Sequence, residues 1–118
     1  MPVKVKTLKI QPMNTDIVIA KTTFPSRKEA EHCVKNIIEK SLAACGQIGS
    51  EITSNYVWQA KTFSETEYPV EFKTSIRCED LLKAEVLRLH TYECPEWITW
   101  RAKASQGYFE WVEQNCKS

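Results

Sequence analysis

The chain has 118 residues, 42% of them hydrophobic and 26% charged, with a formal net charge of +1. That length fits one globular domain, and those fractions exclude disordered and fibrous classes. The near-zero charge, with no basic run, gives no footprint for nucleic acid or an anionic membrane surface.

Residues 1–15 are read as an extension. Val3 and Val5 alternate with Lys4 and Lys6, then Pro12 and Asn14-Thr15 break the pattern. Lysines among the valines leave no continuous apolar segment, so no signal peptide is expected. No window is long and apolar enough to span a membrane. The five cysteines form no C-x-x-C pair, so reduced thiols and a cytoplasmic location are expected.

One domain is expected over residues 16–118. Asp16 to Thr23 is a β-branched run, read as a buried strand. Pro25 ends it, and Ser26 with Glu29 has the spacing of a capping box. The stripe Ala30, Cys33, Val34, Ile37, Ile38, Ser41 and Leu42 predicts a helix of about five turns, closed near Cys45 by a left-handed Gly46. From Gln47 to Gln59 the period becomes two, with Ile52, Ser54, Tyr56 and Trp58 on one side. Gln59-Ala60-Lys61 connects to a return strand over Phe63 to Ser75, in which Pro69 marks an edge or a bulge. Glu71 is expected at an exposed edge, or paired with Lys73 or an arginine, because an unpartnered buried carboxylate is costly.

Cys78 to His90 reads as a second helix with Leu81, Leu82, Val86 and Leu89 inward. Pro95 disfavours helix at Cys94, so the helix stops before a strand over Trp97 to Ala102. Ser105 to Asn115 gives a short last helix. The order predicts an α+β, ferredoxin-like βαββαβ sandwich with an extra C-terminal helix. The sheet face carrying Tyr56, Trp58 and Phe63 needs cover, most simply a second copy of the chain.

Leu89 to Glu96 concentrates reactive groups: an imidazole, a phenol, two carboxylates and a thiol within eight residues. His90, Glu93, Cys94 and Glu96 are ligand types for copper, zinc or another divalent metal, though their spacing matches no known ligand pattern. Tyr56, Trp58, Lys73 and Tyr92 are the candidate walls of a cleft for a small molecule or a protein. A thiol enzyme using Cys94 beside His90 lacks a nameable oxyanion donor. Cys45, read at a helix C-terminus, is poorly placed for activation.

Leu42-Ala43-Ala44-Cys45, Ser54-Asn55-Tyr56-Val57-Trp58, Phe72-Lys73-Thr74, the run from Leu89 to Glu96 and Tyr108-Phe109-Glu110-Trp111 together resemble the CutA divalent-cation-tolerance proteins. The resemblance covers about Ile17 to Glu113. It implies a ferredoxin-like fold assembled as a homotrimer similar to the PII signalling proteins, a role in tolerance of copper and other divalent metals, and no established reaction. It also implies that Tyr56, Trp58, Lys73, His90, Tyr92, Glu93 and Glu96 gather at clefts between subunits. The chain departs from the family pattern at Thr91, which replaces a proline, and at Ala60, which replaces a hairpin glycine. Lys21 and Leu89 stand where some members carry a cysteine and a second histidine.

Overall fold

The computed structural model describes residues 14–117, so the strand expected near Val3 and Val5 lies outside the described residues. The elements are β1 (Asp16–Phe24), α1 (Arg27–Glu39), β2 (Cys45–Ile48), β3 (Ile52–Trp58), β4 (Lys61–Thr74), α2 (Glu79–Leu89), β5 (Ile98–Lys103) and α3 (Gln106–Asn115). The sheet runs β2-β4-β1-β5, every pair antiparallel, and β3 pairs with the first half of β4. This is the expected ferredoxin-like arrangement with an added C-terminal helix.

Alternation along β1 decides the core. Val18, Ala20, Thr22 and Phe24 are buried and share one side. Ala20 and Phe24 pack with Phe72 and Val70 of β4, Ala30, Cys33 and Ile37 of α1, and Leu82 and Val86 of α2. The other side is only partly covered. There Ile19 lies opposite Lys73 and Trp100, and Lys21 lies opposite Glu71 and Ile98. A smaller cluster of Ile17, Cys78, Val112 and Cys116 seats α3.

Helix α1 begins as its sequence requires, with Ser26 Oγ accepting from the Glu29 amide at 3.1 Å. It ends at Glu39, six residues before the expected end at Cys45. The Ser41 amide bonds to the Ile38 carbonyl and the Leu42 amide to the Ile37 carbonyl, a Schellman closure. Its left-handed residue is Ser41, at φ 58°, and no described glycine has positive φ. Gly46 instead lies in β2 opposite Phe72, and Cys45 is a strand residue opposite Lys73, not the end of α1. Of the expected stripe, Ala30, Cys33 and Ile37 are buried, Val34, Ser41 and Leu42 are half-buried, the last two in the closing turn, and Ile38 is exposed.

The expected strand over Gln47 to Gln59 is two strands. Val70 to Lys73 pair with β2 and Lys61 to Glu67 pair with β3, and the break falls opposite Pro69. Proline has no amide to donate, but its carbonyl still accepts from the Gly49 amide at 2.9 Å. The marked bulge position is thus the joint where the β3–β4 ribbon leaves the body of the sheet.

The ribbon turns through two residues, Gln59 and Ala60, at φ 52° and 64°. Both are left-handed, the geometry of a type I′ turn, for which asparagine and glycine are best suited. Ala60→Gly is therefore expected to raise stability by about 0.5–1 kcal/mol, since the Cβ strain exceeds the entropy that glycine adds to the unfolded chain. Urea unfolding of the two proteins measures it.

Candidate cleft at the helix α2 to strand β5 connection

Pro95 does not set the end of α2. The helix stops at Leu89, and His90 has already turned to extended geometry. The His90 ring stacks on Phe24 with centroids 4.2 Å apart and planes at 11°. Its Nε2–H donates to the Thr23 carbonyl at 2.7 Å. Its Nδ1 accepts from the Tyr92 amide at 3.2 Å. A carbonyl can only accept and an amide can only donate, so these partners assign the neutral tautomer with the proton on Nε2. Burial pushes the imidazole pKa below its usual value, outweighing the Thr23 bond and the charges of Glu29 and Glu67. Thr91 Oγ1 adds a bond to Glu29 at 2.7 Å, tying the segment to the first turn of α1.

Tyr92 carries the segment to the ribbon. Its hydroxyl donates to Glu67 Oε2 at 2.7 Å, and Thr23 Oγ1 donates to the same oxygen at 3.2 Å. Burial first, and then that bond to Glu67, raise the Tyr92 pKa well above the ordinary phenol value. On the ribbon, Tyr56 donates to Glu65 at 2.6 Å and stacks near Phe63. The bond to Glu65 is the main reason its pKa is pushed up to about 12.

Between the ribbon and the connection lies a cleft of about 650 Å³. Its walls are Ser54 to Trp58 of β3 and Tyr92 to Glu96 of the connection, with Thr23 and Glu67 the most buried parts of the lining. Of the expected wall residues, Tyr56, Trp58 and Tyr92 meet there. Glu93, Cys94 and Glu96 join them. Lys73 does not line it. It forms an ion pair with Glu71 at 2.7 Å and bonds to Gln47, six residues along β4 from Glu67. The expected Glu71–Lys73 partnership is thus present within one chain, and Lys73 is not paired with Glu93 or Glu96 there.

Glu67 and Thr23 were missed in the sequence. The one available signal was that Glu65 and Glu67 fall on the same side of β4 as Phe63, whose cross-strand partner is Tyr56. Nothing local showed that Tyr92 would reach Glu67.

The chemistry follows from these partners. Both His90 nitrogens are engaged, so neither offers a lone pair to a metal or acts as a base toward Cys94 without breaking a bond. Glu93, Cys94 and Glu96 are exposed. Among the described residues, no three His, Cys, Asp or Glu side chains are placed to hold a metal ion. What one chain presents is a cleft of aromatic rings and carboxylates.

The family model of the "CutA1 divalent ion tolerance protein" matches residues 18–115. A probable divalent-cation tolerance protein cutA homolog of Encephalitozoon cuniculi is 40% identical over 92 residues, covering 76% of this chain and 79% of its own. The divalent-cation tolerance protein CutA of Thermus thermophilus is 33% identical over 94 residues, covering 79% and 91%. Among solved structures, CutA1 from the psychrotrophic bacterium Shewanella sp. SIB1 superposes with a TM-score of 0.82 at 28% identity, covering 89% of this chain and 98% of that one. With nearly the whole described domain matched in sequence and in fold, the chain belongs to the CutA1 divalent ion tolerance family.

Proposed function

We propose that this protein acts in tolerance of divalent metal ions, with copper among them, as a homotrimer whose ligand-binding element is the Tyr92–Glu96 cleft. The observation that carries the assembly is the apolar surface left uncovered by the described residues of one chain. Tyr56, Trp58 and Phe63 on the ribbon, and Ile98 and Trp100 on edge strand β5, are all at least 36% exposed. Among the described residues the outer edge of β5 has no strand partner, and an edge carrying tryptophan and isoleucine is an aggregation hazard unless another copy covers it. The family resemblance supplies the number three, and the tolerance role rests on the relatives' names.

A metal resident within one chain does not fit the donors, since His90 is committed to Thr23 and Tyr92. Glu93, Cys94 and Glu96 have suitable donor atoms, and a metal contact through them needs further ligands from a second subunit. A PII-like role in binding a small molecule is the second reading, favoured by the aromatic lining of the cleft. Five free thiols suit a reducing compartment, which supports the cytoplasm. No helix among the described residues is long and apolar enough to cross a membrane.

Light scattering tests the assembly. The expected molar mass is three times the chain mass of 13.6 kDa, and a single-chain mass at micromolar concentration overturns it.

A further inference from the structure

Among the described residues the cleft carries negative charge and has no cation of its own: Glu67, Glu93 and Glu96 line it, while no lysine, arginine or histidine does. Among the described residues none of these three carboxylates enters an ion pair. Glu67 is the decisive member. It is only 9% exposed. Its Oε2 takes the hydroxyls of Tyr92 and Thr23, and among the described residues its Oε1 accepts no hydrogen bond. Two neutral hydroxyls on Oε2 offset part of the hydration this carboxylate loses, and N–H donors of a cation on Oε1 offset more.

Three aromatic rings, those of Tyr56, Trp58 and Tyr92, line the same space. Ring faces carry negative potential and attract an organic cation. The volume of about 650 Å³ lies within the range of small-molecule sites and far exceeds what a bare ion fills. A free carboxylate oxygen also distinguishes between cations. It rewards an N–H donor and gains less from a fully alkylated nitrogen, which has no hydrogen to offer.

We propose that the cleft binds a primary organic ammonium, with its –NH₃⁺ on Glu67 and its carbon body between the rings of Tyr56, Trp58 and Tyr92. This rests on the cleft being the ligand-binding element and names the ligand class for it. All the contacts come from one chain, and because Tyr56 and Trp58 also belong to the surface assigned to the assembly, the molar mass is measured on the same samples.

The test is calorimetric titration of the full chain at neutral pH with phenethylamine, its N,N,N-trimethyl analogue and neutral 2-phenylethanol. Phenethylamine is expected to bind at least tenfold more tightly than either of the others. Glu67→Gln is expected to weaken the amine at least tenfold and to leave the alcohol unchanged. Glu67 also holds Tyr92, so Trp58→Ala, whose ring also belongs to the surface assigned to the assembly, gives a second reading: about a threefold loss with an unaltered circular dichroism spectrum and an unaltered molar mass by light scattering. Equal affinity for amine and alcohol, or undiminished amine binding in Glu67→Gln, overturns the inference. Light scattering on the same samples keeps the two proposals apart. A trimer that fails to prefer the amine refutes the ligand class alone, and a monomer that prefers it refutes the assembly alone.

Discussion

Phe24→Ala is expected to cost about 3–5 kcal/mol of stability, the usual range for truncating a buried phenylalanine. Phe24 is 1% exposed at the end of β1 and belongs to the main core cluster. Its ring also stacks on His90, so the deletion removes a core side chain and the platform of the cleft together. The neighbouring Thr23 carbonyl and side chain hold His90 and Glu67, and both depend on this end of β1 staying in place. Two measurements separate the effects. The urea midpoint reports the core, and hydrogen exchange at the Tyr92 amide reports the bond to His90. Phe24→Leu keeps most of the volume and loses the stack, with an expected cost of about 1–1.5 kcal/mol. A Phe24→Ala protein within 1 kcal/mol of the parent would show that the core does not converge on β1 as described.

Gly46→Val is expected to cost about 3 kcal/mol, at the upper end for an overpacked site. A Cβ built on Gly46 lies 2.9 Å from Val34 Cγ1 and 3.2 and 3.3 Å from two atoms of the Phe72 ring. Neither neighbour yields easily. Val34 is β-branched on a helix, with one strongly preferred rotamer. Phe72 is completely buried. Helix α1 must therefore lift away from β2. Gly107 provides the opposite case in the same molecule, because an added Cβ meets nothing within 4 Å and the residue sits in α3. Gly107→Ala is expected to stabilise by about 0.5–1 kcal/mol. Thermal unfolding of the pair gives both signs, and a stabilising Gly46→Val would contradict the packing of α1 on β2.

Gly46 also shows where sequence reading stopped. A glycine after an apolar stripe looks like a helix cap, and here it is a close-packing position in a strand. The actual cap is Ser41, a residue that accepts left-handed geometry without advertising it. Elements defined by their own periodicity were legible: β1, the start of α1 at Ser26, the span of α3, and α2 with Leu82 and Val86 inward, although Leu81, expected beside them, is exposed. Features set by distant partners were not. The break at Gly49 follows from Pro69 across the sheet, and the end of α2 follows from a carbonyl at Thr23, far away in sequence.

The cleft divides in the same way. Tyr56, Trp58, Tyr92, Glu93, Cys94 and Glu96 were visible as a set because the family motif names most of them. Nothing in the sequence marks Glu67 off from the neighbouring hairpin glutamates; the fold buries it and brings the hydroxyls of Thr23 and Tyr92 to it. Lys73 shows the converse. Its motif position suggested the cleft, and the strand carries it to a partner two residues away, Glu71.

The density of reactive groups between His90 and Glu96 invites a metal centre, and the two bonds of the His90 ring turn that reading toward a positioned cleft segment. Nitrogen-15 imidazole spectroscopy at neutral pH, with and without zinc, examines this most directly. The neutral Nε2–H tautomer of His90 is expected, with both nitrogen shifts unmoved by zinc. A metal-coordinated nitrogen on His90, or a ring that gives up its Thr23 and Tyr92 bonds when zinc is added, would contradict it.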